Sequence, residues 1–167
     1  YLGEMPLTNA GGETYLNIID QAAVSRIEIH KGPDGSLFGA NSGGVVRMEL
    51  VDESKNNFSS VNTMAGSFGL YRGAVKVRKN VDRHHLFLDV AAQQYGGYRE
   101  HSAMQRLFVH AGNEFSYNKK GSLRLTLLFS SLGYQTPGGL TATQFAADPL
   151  SARPSTAFVP GAVAQQA

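Results

Sequence analysis

Between residues 70 and 131 apolar and polar side chains take turns in four successive segments, and this limits the fold more than any other feature. In 70–79, Tyr71, Val75 and Val77 lie on one side and Arg72, Lys76 and Arg78 on the other. In 86–94, Leu86, Leu88, Val90 and Ala92 oppose Phe87, Asp89, Ala91 and Gln93. In 103–117, Leu107, Val109, Ala111, Phe115 and Tyr117 oppose Arg106, Phe108, His110 and Glu114. In 123–131, Leu123, Leu125, Leu127 and Phe129 oppose Arg124, Thr126, Leu128 and Ser130. A period of two belongs to strands whose faces meet different surroundings. Another strand is expected over 58–68, with its faces poorly distinguished.

The connections alternate as well. Segments 79–84 and 118–121 are short turns, 96–100 is longer, and everything after Tyr134 is longer still. Transmembrane β-barrels have this asymmetry, with short periplasmic turns and long outer loops. Phe115 and Tyr117 share the parity of the apolar face near the expected periplasmic end, where an aromatic girdle would sit. Apolar runs such as 127–129 fall far short of the ~18 residues that a membrane-spanning helix needs. Periodicity alone also fits the antiparallel sheets of a soluble β-sandwich, which leaves a carbohydrate-binding sandwich open. A passive porin or adhesin barrel is a further alternative.

What precedes the strands favours a barrel with something inside it. Segment 24–47 reads VSRIEIHKGPDGSLFGANSGGVVR. Ile27 and Ile29 form a short alternating strand that Pro33 must end, because proline fixes φ and donates no hydrogen bond. Gly32, Gly35, Gly39, Gly43 and Gly44 permit tight turns or close backbone approach. A short helical turn over 20–24 is expected, capped by Asp20. Segment 52–57 is a polar connector, after which the texture changes. Further on, Thr141 and Gln144 have capping-box spacing and Pro149 is a stop, so a helix of one or two turns is expected there.

Ile27-Glu28-Ile29-His30-Lys31-Gly32-Pro33, Leu37-Phe38-Gly39 and Gly43-Gly44-Val45-Val46 resemble the plug motifs of siderophore-type TonB-dependent outer-membrane receptors. The stretch TPGGLTATQFAADPLSARP resembles an outer loop of such receptors. The resemblance implies a mainly β fold, a fragment of a plugged transmembrane antiparallel β-barrel holding the distal plug and about five barrel strands. Residues 1–51 would be the C-terminal part of the plug, 52–57 the connector, and 58–167 the N-terminal barrel strands with the first long outer loop. Met5-Pro6-Leu7 resembles a plug strand, and the turn 8–14 would be an outward apex. The chain opens without Met, and a TonB box and the first half of the plug are expected upstream of it.

The function implied is binding and import of a ferric siderophore or similar chelate at the bacterial outer membrane. The partners would be the TonB energy-transducing complex, the small-molecule chelate and outer-membrane lipid. Expected ligand contacts are Asn9, Glu13, Thr14 and Tyr15 at the apex and Tyr98, Arg99, Tyr134 and Gln135 at the loop bases, since Tyr and Arg offer flat surfaces and donors. Arg26 and Lys31 would serve electrostatics between plug and barrel, although Lys31 lacks the fork of the family's usual Arg.

Arg72, Lys76, Arg78, Arg106 and Arg124 permit two readings. They make a positive lumen that attracts anions or grips plug carboxylates, or else a solvated interior with incidental charge, and the second is preferred for any single residue. A net charge of +2 gives no argument for nucleic acid, and the absence of cysteine removes disulfides and thiolate metal sites. His84 and His85 would point to opposite faces of a strand, so no metal site or cofactor is expected. No nucleophile elbow, spaced carboxylate pair or phosphate loop points to an enzyme.

Overall fold

The computed structural model describes residues 1–3, 5–8, 12–32, 38, 43–51, 56–118, 121–153 and 165–166. Strands β1 (Arg26–Lys31) and β2 (Gly44–Glu49) form an antiparallel pair. Strands β3 (Phe58–Gly66), β4 (Leu70–Val81), β5 (His84–Tyr95), β6 (Met104–Asn118), β7 (Gly121–Tyr134) and β8 (Gln165–Gln166) form a second sheet, antiparallel throughout and in chain order. The strands extend past the alternating segments at most ends. Polar ends such as Gly121-Ser122 and Gly133-Tyr134 blur the alternation yet still pair with β6. Among the described residues no helix is long and apolar enough to cross a membrane, which says nothing of strands.

Register aligns the two chemistries across the whole sheet. Val61, Val75, Val90, Val109 and Phe129 fall in one row across β3 to β7. One row along, Val77, Leu88, Ala111 and Leu127 do the same. These rows face away from the described part of residues 1–51: Leu88 is 38% and Leu127 62% exposed, whereas Arg78 is 1%, Asp89 3% and His110 2% exposed on the opposite side. A soluble sandwich buries its apolar face. Here the apolar face is the open one, and the charged face is covered by the chain's own first residues.

That cover is built from short pieces. Gly44 sits at φ +132 opposite the end of β1, where a Cβ would run into the His30 carbonyl oxygen, so a side chain there would part the two strands. β1 stops at Lys31, two residues ahead of Pro33, and the glycine-rich positions 33–37 and 39–42 lie outside the described residues. Leu2 bridges to Met48 in parallel, and Met5 makes only an isolated bridge back to Leu2, so 5–7 is not a strand as the resemblance implied. Pro6 has no N–H to offer a ladder. A 3-10 turn spans Leu16–Ile18, and a turn rather than a helix follows, with Ala22 N–H donating to Asp20 Oδ1 at 2.8 Å. Asp20 thus caps the turn as expected. Leu2, Ile19, Ala23, Met48 and Leu50 pack on Ala74, Ala91 and Phe108 of the wall. The two alanines are small enough to let the 20–23 turn come close.

Helix α1 (Ala142–Ala147) carries both bonds of the capping box between Thr141 and Gln144. Thr141→Ala should weaken this helix by about 1 kcal/mol, read as faster amide exchange over 142–147. Leu127 lies midway along the outward apolar band, and if that band meets lipid, Leu127→Arg in the full-length protein should cost about 2–4 kcal/mol of folding free energy in phospholipid bilayers. Guanidinium unfolding in vesicles measures it.

Candidate functional site

Charge joins the first 51 residues to the wall at two places. Asp20 is fully buried, and its carboxylate lies between two arginines on strands that are not neighbours. Arg72 Nη2 of β4 donates to Asp20 Oδ1 at 2.5 Å, and Arg106 Nη2 of β6 donates to Oδ2 at 2.8 Å. Arg72 Nη1 also reaches Asn62 Oδ1 at 3.2 Å, and Arg106 Nη2 reaches Gln93 Oε1 at 2.9 Å. Arg106 further points Nη1 at the Asn17 and Ile19 carbonyls, both at 3.4 Å. One carboxylate therefore spans three strands of the wall. Lys76 adds contacts to Ala22 O, Ala23 O and Ser25 Oγ of the same turn.

The second place is where the first segment leaves the wall. Arg78 Nη2 donates to the Leu50 carbonyl at 3.0 Å and to Asp89 Oδ2 at 2.9 Å. Asp89 Oδ2 also meets His110 Nδ1 at 2.8 Å, a bond made by the tautomer with its proton on Nδ1. The His110 ring stacks on Phe87 at 4.9 Å. Gly112 makes room for this stack, because a Cβ there would strike the Phe87 ring and the Leu125 carbonyl. Arg72 and Arg78 are thus buried and Arg106 partly so, and all three are committed to partners rather than incidental charges in water. Sequence reading treated Asp20 only as a turn cap. Its pairing with β4 and β6 follows from strand register and packing, which no local pattern carries.

The expected ligand residues separate into groups. Thr8 and Thr14 close the apex through a side-chain hydrogen bond of 2.8 Å, and Asn9 lies outside the described residues. The Tyr15 hydroxyl donates to Glu13 Oε2 at 2.5 Å. That bond above all, then partial desolvation and the nearby Tyr134, raises the Tyr15 phenol above its ordinary pKa. Glu13, Thr14, Tyr15 and Tyr134 therefore gather at one end of the wall. Tyr98 stands apart, half exposed and edge-on to Phe68 at 5.1 Å. Arg99 holds the loops: its guanidinium donates to Ser151 O at 2.8 and 3.2 Å and to Gly138 O at 3.2 Å. Gln135 N–H bonds to Ala103 O at 2.8 Å. Arg26 pairs with Glu28 of its own strand at 2.6 Å, and Lys31 is exposed at the end of β1. Among the described residues no cluster of His, Asp and Glu could hold a metal.

No family model matches the chain. The metal-pseudopaline receptor CntO of Pseudomonas aeruginosa, in strains UCBPP-PA14 and PAO1, is 31% identical over 99 residues, covering 57% of this chain. The pyoverdine outer-membrane receptor FpvA of P. aeruginosa PAO1, solved bound to pyoverdine, superposes with a TM-score of 0.68 at 18% identity over 80% of this chain. The ferric-catecholate import receptor Fiu of E. coli K12, in its open form, gives 0.61 at 21% identity over 68%. At those identities the structural likenesses establish the fold, a plugged β-barrel, while the sequence match reaches a receptor of the same kind. The chain is thus similar in sequence to one such receptor over 99 residues and shares the fold of two others. It spans only 14% of the length of the curated relative, 20% of FpvA and 18% of Fiu.

The two charged contacts join the first 51 residues to the wall. Removing a partner from a buried ion pair leaves the remaining charge uncompensated, which typically costs 3–5 kcal/mol. In the full-length protein, Asp20→Ala should therefore loosen residues 1–51 from the wall by about 3–5 kcal/mol, with Asp20→Asn losing less because the amide oxygen still accepts. Calorimetry that resolves a plug transition from barrel melting is the measurement.

Proposed function

We propose that residues 1–51 are the C-terminal part of the plug, 52–57 the connector and 58–167 the opening wall of an outer-membrane receptor that binds a ferric siderophore or related metal chelate and imports it. The observation that carries this reading is the inverted wall, with Leu88 and Leu125 open and Arg78, Asp89 and His110 buried against the plug. Such a wall suits lipid outside and a polar stopper inside. The relatives' names support a chelate as cargo. The work is binding and gated passage without covalent chemistry, and energy comes from the TonB complex by strand addition to a TonB box elsewhere in the receptor.

The chelate would sit at the end of the wall where Glu13, Thr14, Tyr15 and Tyr134 gather, next to Gln135, with Tyr98 as a separate contact against Phe68. Phenol and carboxyl oxygens, with flat rings, suit a chelate that is part apolar and part oxygen-rich. Arg99 would act by fixing the 135–153 loop over the site. Lys31, exposed at the end of β1, would meet wall carboxylates of the closed barrel, whereas Arg26 is engaged by Glu28.

Uptake of radiolabelled ferric chelates by cells expressing the full-length receptor tests this directly. Accumulation should vanish on deletion of TonB, and Tyr15→Ala with Tyr134→Ala should weaken binding at least tenfold, about 1.4 kcal/mol or more. Uptake that survives loss of TonB points to a passive porin instead.

A further inference from the structure

The setting of Asp20 is that of a ligand in a binding site. Two guanidiniums from different strands converge on its two oxygens, with Asn62 and Gln93 turning their own oxygens to the arginines and so fixing both forks. Planar guanidinium forks are the geometry that proteins use to recognise carboxylates. Two positive charges share one negative charge there, and among the described residues Asp20 is the carboxylate in ion-pair contact with either arginine. Arg72 is nine-tenths buried and its Nε has no hydrogen-bond partner, so one donor of the cradle is unused. An open groove lined by Thr63, Arg72, Gln93 and Arg106 leads to the same guanidiniums.

We propose that Arg72 and Arg106 are an anion site on the barrel wall, that Asp20 fills it as an internal ligand, and that a carboxylate-bearing chelate displaces Asp20 on its way past. The inference rests on the uptake reading for its physiological cargo, but the site itself does not. Displacement would loosen the 20–23 turn where the 3-10 turn leads from Tyr15 to Asp20. It would also keep Arg72 and Arg106 from standing unpaired once the plug moves, which is the costly state for buried cations. The exchange is of salt bridges only, with charge conserved at the cradle.

Citrate serves as the probe, with chloride at matched ionic strength as the control, on the full-length receptor in detergent micelles. Asp20→Asn empties the cradle of its negative charge while keeping an acceptor for Ala22 N–H. It should bind citrate roughly tenfold more tightly than the natural receptor by calorimetry. Adding Arg72→Gln and Arg106→Gln to Asp20→Asn should abolish that gain. On the unaltered receptor, citrate should speed amide exchange over 16–23 beyond the effect of chloride, an arm that stands if Asp20→Asn fails to insert. Citrate affinity unchanged by Asp20→Asn in the inserted receptor, or exchange over 16–23 indifferent to citrate, overturns the proposal. Uptake without these effects leaves the receptor reading standing and removes the anion site. The effects without uptake do the reverse.

Discussion

The fold depends on putting charge on the buried side of a sheet. Arg72, Arg78, Asp89, Arg106 and His110 stand on the wall's inner face, and isolated there each would carry a large desolvation cost. The first 51 residues compensate the arginines with one carboxylate, Asp20, and with the carbonyls of Asn17, Ile19 and Leu50, while Asp89 pairs with Arg78 and His110 within the wall. Apolar packing by Leu2, Ile19 and Met48 on Ala74, Ala91 and Phe108 fills the space between these contacts without setting register. A hydrophobic patch can slide. A carboxylate held between two forks cannot, so the charge pairs fix where the first segment sits on the wall.

The same arrangement leaves the outer face free to be apolar. Because side chains alternate along a strand, Arg72, Arg78 and Arg106 turned inward leave Tyr71, Val77 and Leu107 outward. An open apolar face and a charged inner face are two consequences of one period-two pattern. The pairing gives a wall whose apolar face is open and an inner face held to the first 51 residues by charge.

Much of this was legible in the residues. The strands and their faces were, because alternation from Tyr71 to Phe129 is a local property with a known period. The helix at 142–147 was legible from Thr141 and Gln144, whose capping geometry needs only three residues' separation. The plug motifs around Gly32 and Gly44 were legible because positive φ and close strand approach demand glycine. The pairing of Asp20 with Arg72 and Arg106 was not, since it joins residues more than fifty positions apart through tertiary packing. Nor was the loop-holding role of Arg99, whose partners are backbone carbonyls of Gly138 and Ser151. A carbonyl acceptor has no residue type, so no sequence pattern reveals it.

The account stands on which face of the wall meets lipid. Single spin labels placed in turn at positions 86 to 91 of the full-length receptor in lipid vesicles would read that face through collision with oxygen, which concentrates in hydrocarbon. Labels at 86, 88 and 90 should be strongly relaxed by oxygen and those at 87, 89 and 91 protected, with a period of two. Protection at 86, 88 and 90, or no alternation, would contradict it.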